Sequence, residues 1–206
     1  AEHIIYDLKN LTIHPEHILI AGVGKNKKIV GKTLQKVSED FGKSPEEAIV
    51  EILRMNNLNV TIFGRTLNPE NLISSLQKEY CSVSSDGAGY DLSFKKFGDL
   101  AHPRSFGAFP RFISKLAQKS GLGIEKAIKK ITSIPASMLG LGDRGILRTN
   151  FKADINVFDR ENLKDNSTYY NPYQYSSGIK LSVISGNIAL FEDKFLGKFG
   201  NVLKKL

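Results

Sequence analysis

The segment Cys81-Ser82-Val83-Ser84-Ser85-Asp86-Gly87 places a carboxylate directly after a short β-prone run and directly before a glycine. An aspartate there can open a turn, because its side chain bonds the backbone two residues on. At the carboxyl end of a strand in an α/β protein it can instead act as a general acid or base, since ligands bind at those ends. Position alone leaves both roles open. Further on, His102-Pro103-Arg104 sets a guanidinium beside a proline. Such an arginine can clamp a carboxylate bidentately, or it can be a surface charge. His14-Pro15-Glu16-His17 has ligand-like histidine spacing. Pro15 argues against a regular helix through it, and no third ligand accompanies the pair, whereas even catalytic zinc takes three protein ligands. It reads as a loop pair. Cys81 is the only cysteine, so no internal disulfide exists, and it reads as a packing residue.

The elements that must position these residues are legible in part. His17–Val23 is a continuous apolar run ending near glycine, and so a buried strand. Gly31-Lys32-Thr33 ends like a phosphate-binding loop, but Asn26 stands where that motif needs its first glycine. Thr33 is better read as the cap of a helix carrying Leu34, Val37 and Phe41. Ser44-Pro45-x-Glu47 is a capping box for a helix with Ala48, Ile49, Ile52, Leu53 and Met55 on its apolar face. A strand over 59–64 follows, then a helix opened by Asn68-Pro69-Glu70 with Leu72, Ile73 and Leu76 inward. A strand over 80–84 completes a βαβ pattern, which predicts a parallel sheet.

Pro110 is expected to begin a helix, with Arg104 in the loop before it. A helix over 124–131 and one containing Pro135 come next. From Gly142 the character turns to β, with Val157, Phe158, Val183, Ile184, Ile188 and Leu190 as strand material and a tight hairpin turn at Ser185-Gly186-Asn187.

The chain has 206 residues, 41% of them hydrophobic, and a net charge of +8. No apolar run approaches the ~18 residues of a membrane span. Ala1-Glu2-His3 lacks the features of a signal peptide, and a single cysteine fits a reducing, cytoplasmic setting. The lysines are scattered (Lys25, Lys27, Lys28, Lys95, Lys96, Lys129, Lys130, Lys204, Lys205), with no arginine-rich run or aromatic platform. They read as solvated lysines, so neither a nucleic-acid nor a membrane partner is expected.

Taken in order, "SSDG", "HPRSFGAFPRF", "ITSIPASMLGLGDRGILRTNFKADINVFD" and "VISGNIAL" resemble the C-terminal portion of the D-aminoacylases, the N-acyl-D-amino-acid deacylases of the amidohydrolase superfamily. The resemblance implies an α/β fold, the late part of a (β/α)8 barrel plus strands of a small β-sandwich. Residues 1–142 would be late barrel elements with an inserted subdomain at about 5–58, and 143–206 the sandwich strands. It implies hydrolysis of a small-molecule N-acyl-D-amino acid with zinc or another divalent metal in the complete enzyme.

Asp86 matches the aspartate that moves the proton between water and the leaving amine, and it is also a possible metal ligand there. Arg104 matches the arginine that holds the substrate α-carboxylate, with Ser85 and His102 as further substrate-binding residues. The family's other metal ligands have no counterpart in this chain, and a whole barrel takes about 250 residues. The expectation is a C-terminal fragment, inactive by itself, whose partner is the missing N-terminal part of the barrel. The alternatives are a non-catalytic assembly subunit and an amidohydrolase acting on other linear or cyclic amides.

Overall fold

The computed structural model describes residues 2–12 and 14–203, so Ala1, Lys204 and Lys205 lie outside the described residues. The chain divides into two compact units.

The first unit comprises residues 1–67, 89–103 and 168–173. It contains helix α1 (Glu2–Lys9), strand β1 (Ile18–Val23), helices α2 (Leu34–Phe41) and α3 (Pro45–Met55), and strand β2 (Val60–Gly64). Both predicted caps form. Thr33 Oγ1 accepts from Lys36 N at 3.2 Å, and Ser44 and Glu47 bond each other's backbone in a full capping box. Burying one face of α2 and one of α3 together with β1 creates a core of Ile20, Val23, Ile29, Leu34, Val37, Ala48 and Ile52. Met55, placed on that face by periodicity, is 39% exposed at the helix end. Asn56 is buried but satisfied, since its Oδ1 accepts from Lys25 N and Asn26 N and its amide donates to Ile52 O.

The expected βαβ pairing is not observed. β1 and β2 pair antiparallel, Ile18 opposite Gly64 and Val23 opposite Val60, with an irregularity at Ala21. Tyr80 lies in a turn, and residues 81–84 form no strand. A β-prone run becomes a strand only when a neighbour supplies a ladder. The Val83 N–H donates instead to Lys130 O at 2.9 Å.

The second unit comprises residues 68–88, 104–167 and 174–206. It contains helix α4 (Pro69–Gln77), α5 (Arg104–Arg111), a π-helical turn (Phe112–Leu116), and helices α6 (Ala117–Lys119), α7 (Ile124–Ile131) and α8 (Ser133–Met138). An antiparallel sheet follows in the order β3 (Ile155–Phe158), β4 (Ile179–Ile184), β5 (Asn187–Phe191), β6 (Lys194–Phe195). The predicted hairpin at Ser185-Gly186 joins β4 to β5. Leu76, Phe112, Ala117 and Ala127 form the buried helical core. Leu72 does not turn inward and is 43% exposed.

Pro110 does not begin a helix but lies inside α5. A proline there cannot donate to the carbonyl four residues back. That carbonyl, Phe106 O, accepts from Ser176 Oγ at 3.2 Å, and the next turn widens to π geometry. Arg104 is correspondingly the first residue of α5 rather than a loop residue. Gly107 is needed for packing, because a Cβ there would overlap the carboxylate of Asp165. That carboxylate is buried and bonded by Ser167 N and Oγ.

Candidate functional site

Two short segments of the second unit meet at Asp86, the turn at 84–88 and the start of α5. Ser84 and Ser85 shape the turn: Ser84 Oγ accepts from Asp86 N at 3.4 Å, and Ser85 Oγ accepts from Gly87 N at 3.2 Å. Asp86 itself takes φ +46°, the left-handed region that aspartate tolerates better than most residues. The start of α5 then passes directly over Gly87. A Cβ on that glycine would lie 2.9 Å from Ser105 Cα, and Ser105 Oγ accepts from Ala88 N at 3.2 Å. The Asp-Gly pair thus brings a carboxylate up against the helix that carries Arg104.

Arg104 holds Asp86 at two points. Its Nε donates to the Asp86 carbonyl at 2.8 Å, and its Nη2 lies 3.0 Å from the carboxylate Oδ2. The Asp86 side chain is nevertheless 85% exposed and that of Arg104 43% exposed, so both can meet a ligand.

Behind the turn, Lys130 anchors the approach segment. It was expected to be solvated but is buried, and its ammonium donates to Lys78 O at 2.5 Å and Cys81 O at 2.8 Å. The clue was available, because Lys130 lies three residues after the buried Ala127, on the same face of α7.

The structure brings Ser85, Asp86 and Arg104 together in the second unit and assigns His102 to the first. There the His102 imidazole packs edge-on against Phe63 and Tyr169, each 5.1 Å between ring centroids. Tyr169, which sequence reading missed, also places its hydroxyl 3.4 Å from His102 Nε2.

The residues present do not make a metal site at Asp86. Among the described residues, the one group of three or more metal-ligating side chains is His14, Glu16 and His17, in the other unit. A groove of the second unit, about 1160 Å³, is also distinct from Asp86. It is an apolar cleft among Phe106, Phe109 and Ile113 of the α5 segment, Ile128 and Ile131 of α7, and Ile155, Phe158 and Leu190 of the sheet.

No family model matches the chain. Curated sequences do. An N-acyl-D-glutamate deacylase of Alcaligenes xylosoxydans xylosoxydans is 35% identical over 157 residues, covering 76% of this chain and 30% of that protein. Over that stretch the chain is similar to the N-acyl-D-amino-acid deacylases. The D-aminoacylase of the same organism is 27% identical over 187 residues, covering 85% of this chain and 34% of its own. A solved D-aminoacylase superposes with a TM-score of 0.74 at 24% identity, over 88% of this chain and 36% of that one. The N-acyl-D-glutamate deacylase from Bordetella bronchiseptica, solved with zinc and a phosphonate inhibitor, gives 0.71 at 24% identity, over 84% and 34%. The chain therefore spans about a third of the D-aminoacylases it matches, and shares their mixed α/β fold over that stretch.

Proposed function

We propose that this chain supplies the late elements of a metal-dependent amidohydrolase that cleaves the amide bond of N-acyl-D-amino acids. The observation that carries the reading is the double grip of Arg104 on Asp86, in a turn that Gly87 and Ser105 lock against α5. Such a pair unites a base and a carboxylate receptor in one place. Asp86 takes a proton from the water that attacks the amide carbon. It returns that proton to the nitrogen as the C–N bond breaks, leaving a carboxylic acid and a free amino acid. Arg104 keeps its Nε on the Asp86 carbonyl while the substrate α-carboxylate replaces the Asp86 carboxylate at Nη2. Substrate entry thereby frees the base beside the bond to be cut.

The divalent metal of that enzyme would take its other ligands from residues outside this chain, as would the rest of the barrel. The exposed edge of β3 and the apolar groove supply a surface for that missing part to cover. The late barrel elements would fall within 1–142 and the sandwich strands within 143–206. The absence, among the described residues, of any helix long and apolar enough to cross a membrane is compatible with a cytoplasmic enzyme.

The test is to assay the full-length protein, loaded with zinc, on N-acetyl-D-amino acids and their L-enantiomers. Hydrolysis of the D series supports the reading. Failure to cleave any N-acyl-D-amino acid, with metal bound and the fold intact, overturns it.

A further inference from the structure

The first unit holds a cluster of metal-ligating side chains. His14 precedes a 3-10 turn, Pro15–His17, in which Pro15 occupies the first position, where its missing N–H costs nothing. In a 3-10 turn residues three apart eclipse. His14 and His17 therefore project on the same side, with ring centroids 5.4 Å apart. Proline thus excludes the regular helix but permits the tighter turn that aligns the pair. The third ligand comes from inside the turn. Glu16 Oε1 lies 3.7 Å from His14 Nδ1 and 3.8 Å from His17 Nε2, and ligand atoms of all three residues lie within 4.8 Å of one another. Tetrahedral zinc with bonds of about 2.0–2.2 Å separates its ligand atoms by roughly 3.4 Å. Closing the two measured gaps asks for a few tenths of an ångström from exposed side chains.

The backbone beneath is already fixed. His17 N donates to His14 O at 2.9 Å, Arg65 N donates to His17 O at 2.9 Å, and the chain runs on into the buried strand β1.

We propose that His14, Glu16 and His17 form a surface site for a borderline divalent cation of the zinc, cobalt or nickel class, with one coordination position open to solvent. Two imidazoles and one carboxylate suit those ions and not magnesium or calcium, which prefer all-oxygen shells. The site belongs to this chain alone and stands apart from the Asp86 chemistry.

Calorimetric titration of the metal-free 206-residue protein tests it, with zinc and magnesium as separate titrants. One zinc per chain and no magnesium binding are expected. His14→Ala, Glu16→Ala and His17→Ala should each weaken zinc at least tenfold, which is the loss that even second-shell partners of a metal cause. His3→Ala and Asp86→Asn should leave it unchanged. Circular dichroism of each variant, expected to match the parent, separates lost ligation from lost fold. Absence of stoichiometric zinc, retention of affinity in the His14→Ala/His17→Ala double variant, or loss of affinity in His3→Ala overturns the proposal.

Discussion

Arg104 contacts Asp86 through two different groups, its Nε on the backbone carbonyl and its Nη2 on the carboxylate. The carbonyl bond orients the guanidinium whatever the carboxylate does. The carboxylate bond, between exposed side chains, is the one a ligand can displace, because exposed ion pairs are worth only about 0–1 kcal/mol.

This division of labour makes Arg104→Ala informative in the full-length enzyme. If the arginine receives the substrate carboxylate, kcat/KM for N-acyl-D-amino acids should fall about 10–100-fold, the worth of a charged hydrogen bond. An amide lacking the α-carboxylate should lose much less. Equal losses for both substrates would mean that Arg104 only holds Asp86 in place.

Gly87→Ala should disturb the same turn from the other side. The new methyl would meet the Ser105 backbone at 2.9 Å, so the turn or α5 must shift. Overpacking of this kind costs about 1–3 kcal/mol. Denaturant unfolding should show that loss, and activity of the full-length enzyme should fall with it.

Lys130→Met tests the buried anchor behind the turn. The Lys78 and Cys81 carbonyls lose the donor now bonded to both. Losing hydrogen bonds to a charged group, here the buried Lys130 ammonium, costs about 1.5–3 kcal/mol. Thermal unfolding should move down accordingly, whereas Lys129→Met, at an exposed position, should change little.

Acid should weaken the α2–α3 pair of the first unit. The Asp40 carboxyl is held below its usual range by the Lys32 and Lys36 ammonium groups, that of Glu47 by the Ser44 backbone N–H, and that of Glu51 by Lys43 and Arg54. All three pKa values are lower in the folded state. Their contribution is therefore present above the ordinary carboxylate pKa and is lost as pH falls through the lowered values. Helical circular dichroism followed from pH 7 to pH 2 should decline below about pH 4. The decline should be shallower in a Glu47→Ala/Asp40→Asn variant.

Local signals were readable wherever local chemistry decides the outcome. The Ser44–Glu47 box, the Thr33 cap, the helix over 124–131 and the Ser185-Gly186 turn each depend on a few adjacent residues, and each formed as read. Asp86 and Arg104 each stood out because they lie in distinctive short runs, but their contact was not read from them. What failed depends on partners distant in sequence. The run at 80–84 looks like a strand, but Val83 found a helix carbonyl rather than a ladder. Pro110 looks like a helix start, but Ser176 satisfies the carbonyl it leaves free. Lys130 looks solvated until the carbonyls of Lys78 and Cys81 are brought to it. For the His14–His17 pair, spacing alone did not show that the Glu16 carboxylate lies 3.7 and 3.8 Å from the two rings.

The central claim, that Asp86 moves the proton, is tested most directly by kcat of Asp86→Asn in the full-length enzyme, with metal content measured alongside. Asparagine preserves the shape and tolerates the left-handed turn at φ +46°, but cannot accept the proton. A fall in kcat of at least about 10²–10⁴-fold, with the metal retained and substrate still bound, is the predicted result. Turnover near that of the parent would contradict it and leave Asp86 a turn residue held by Arg104.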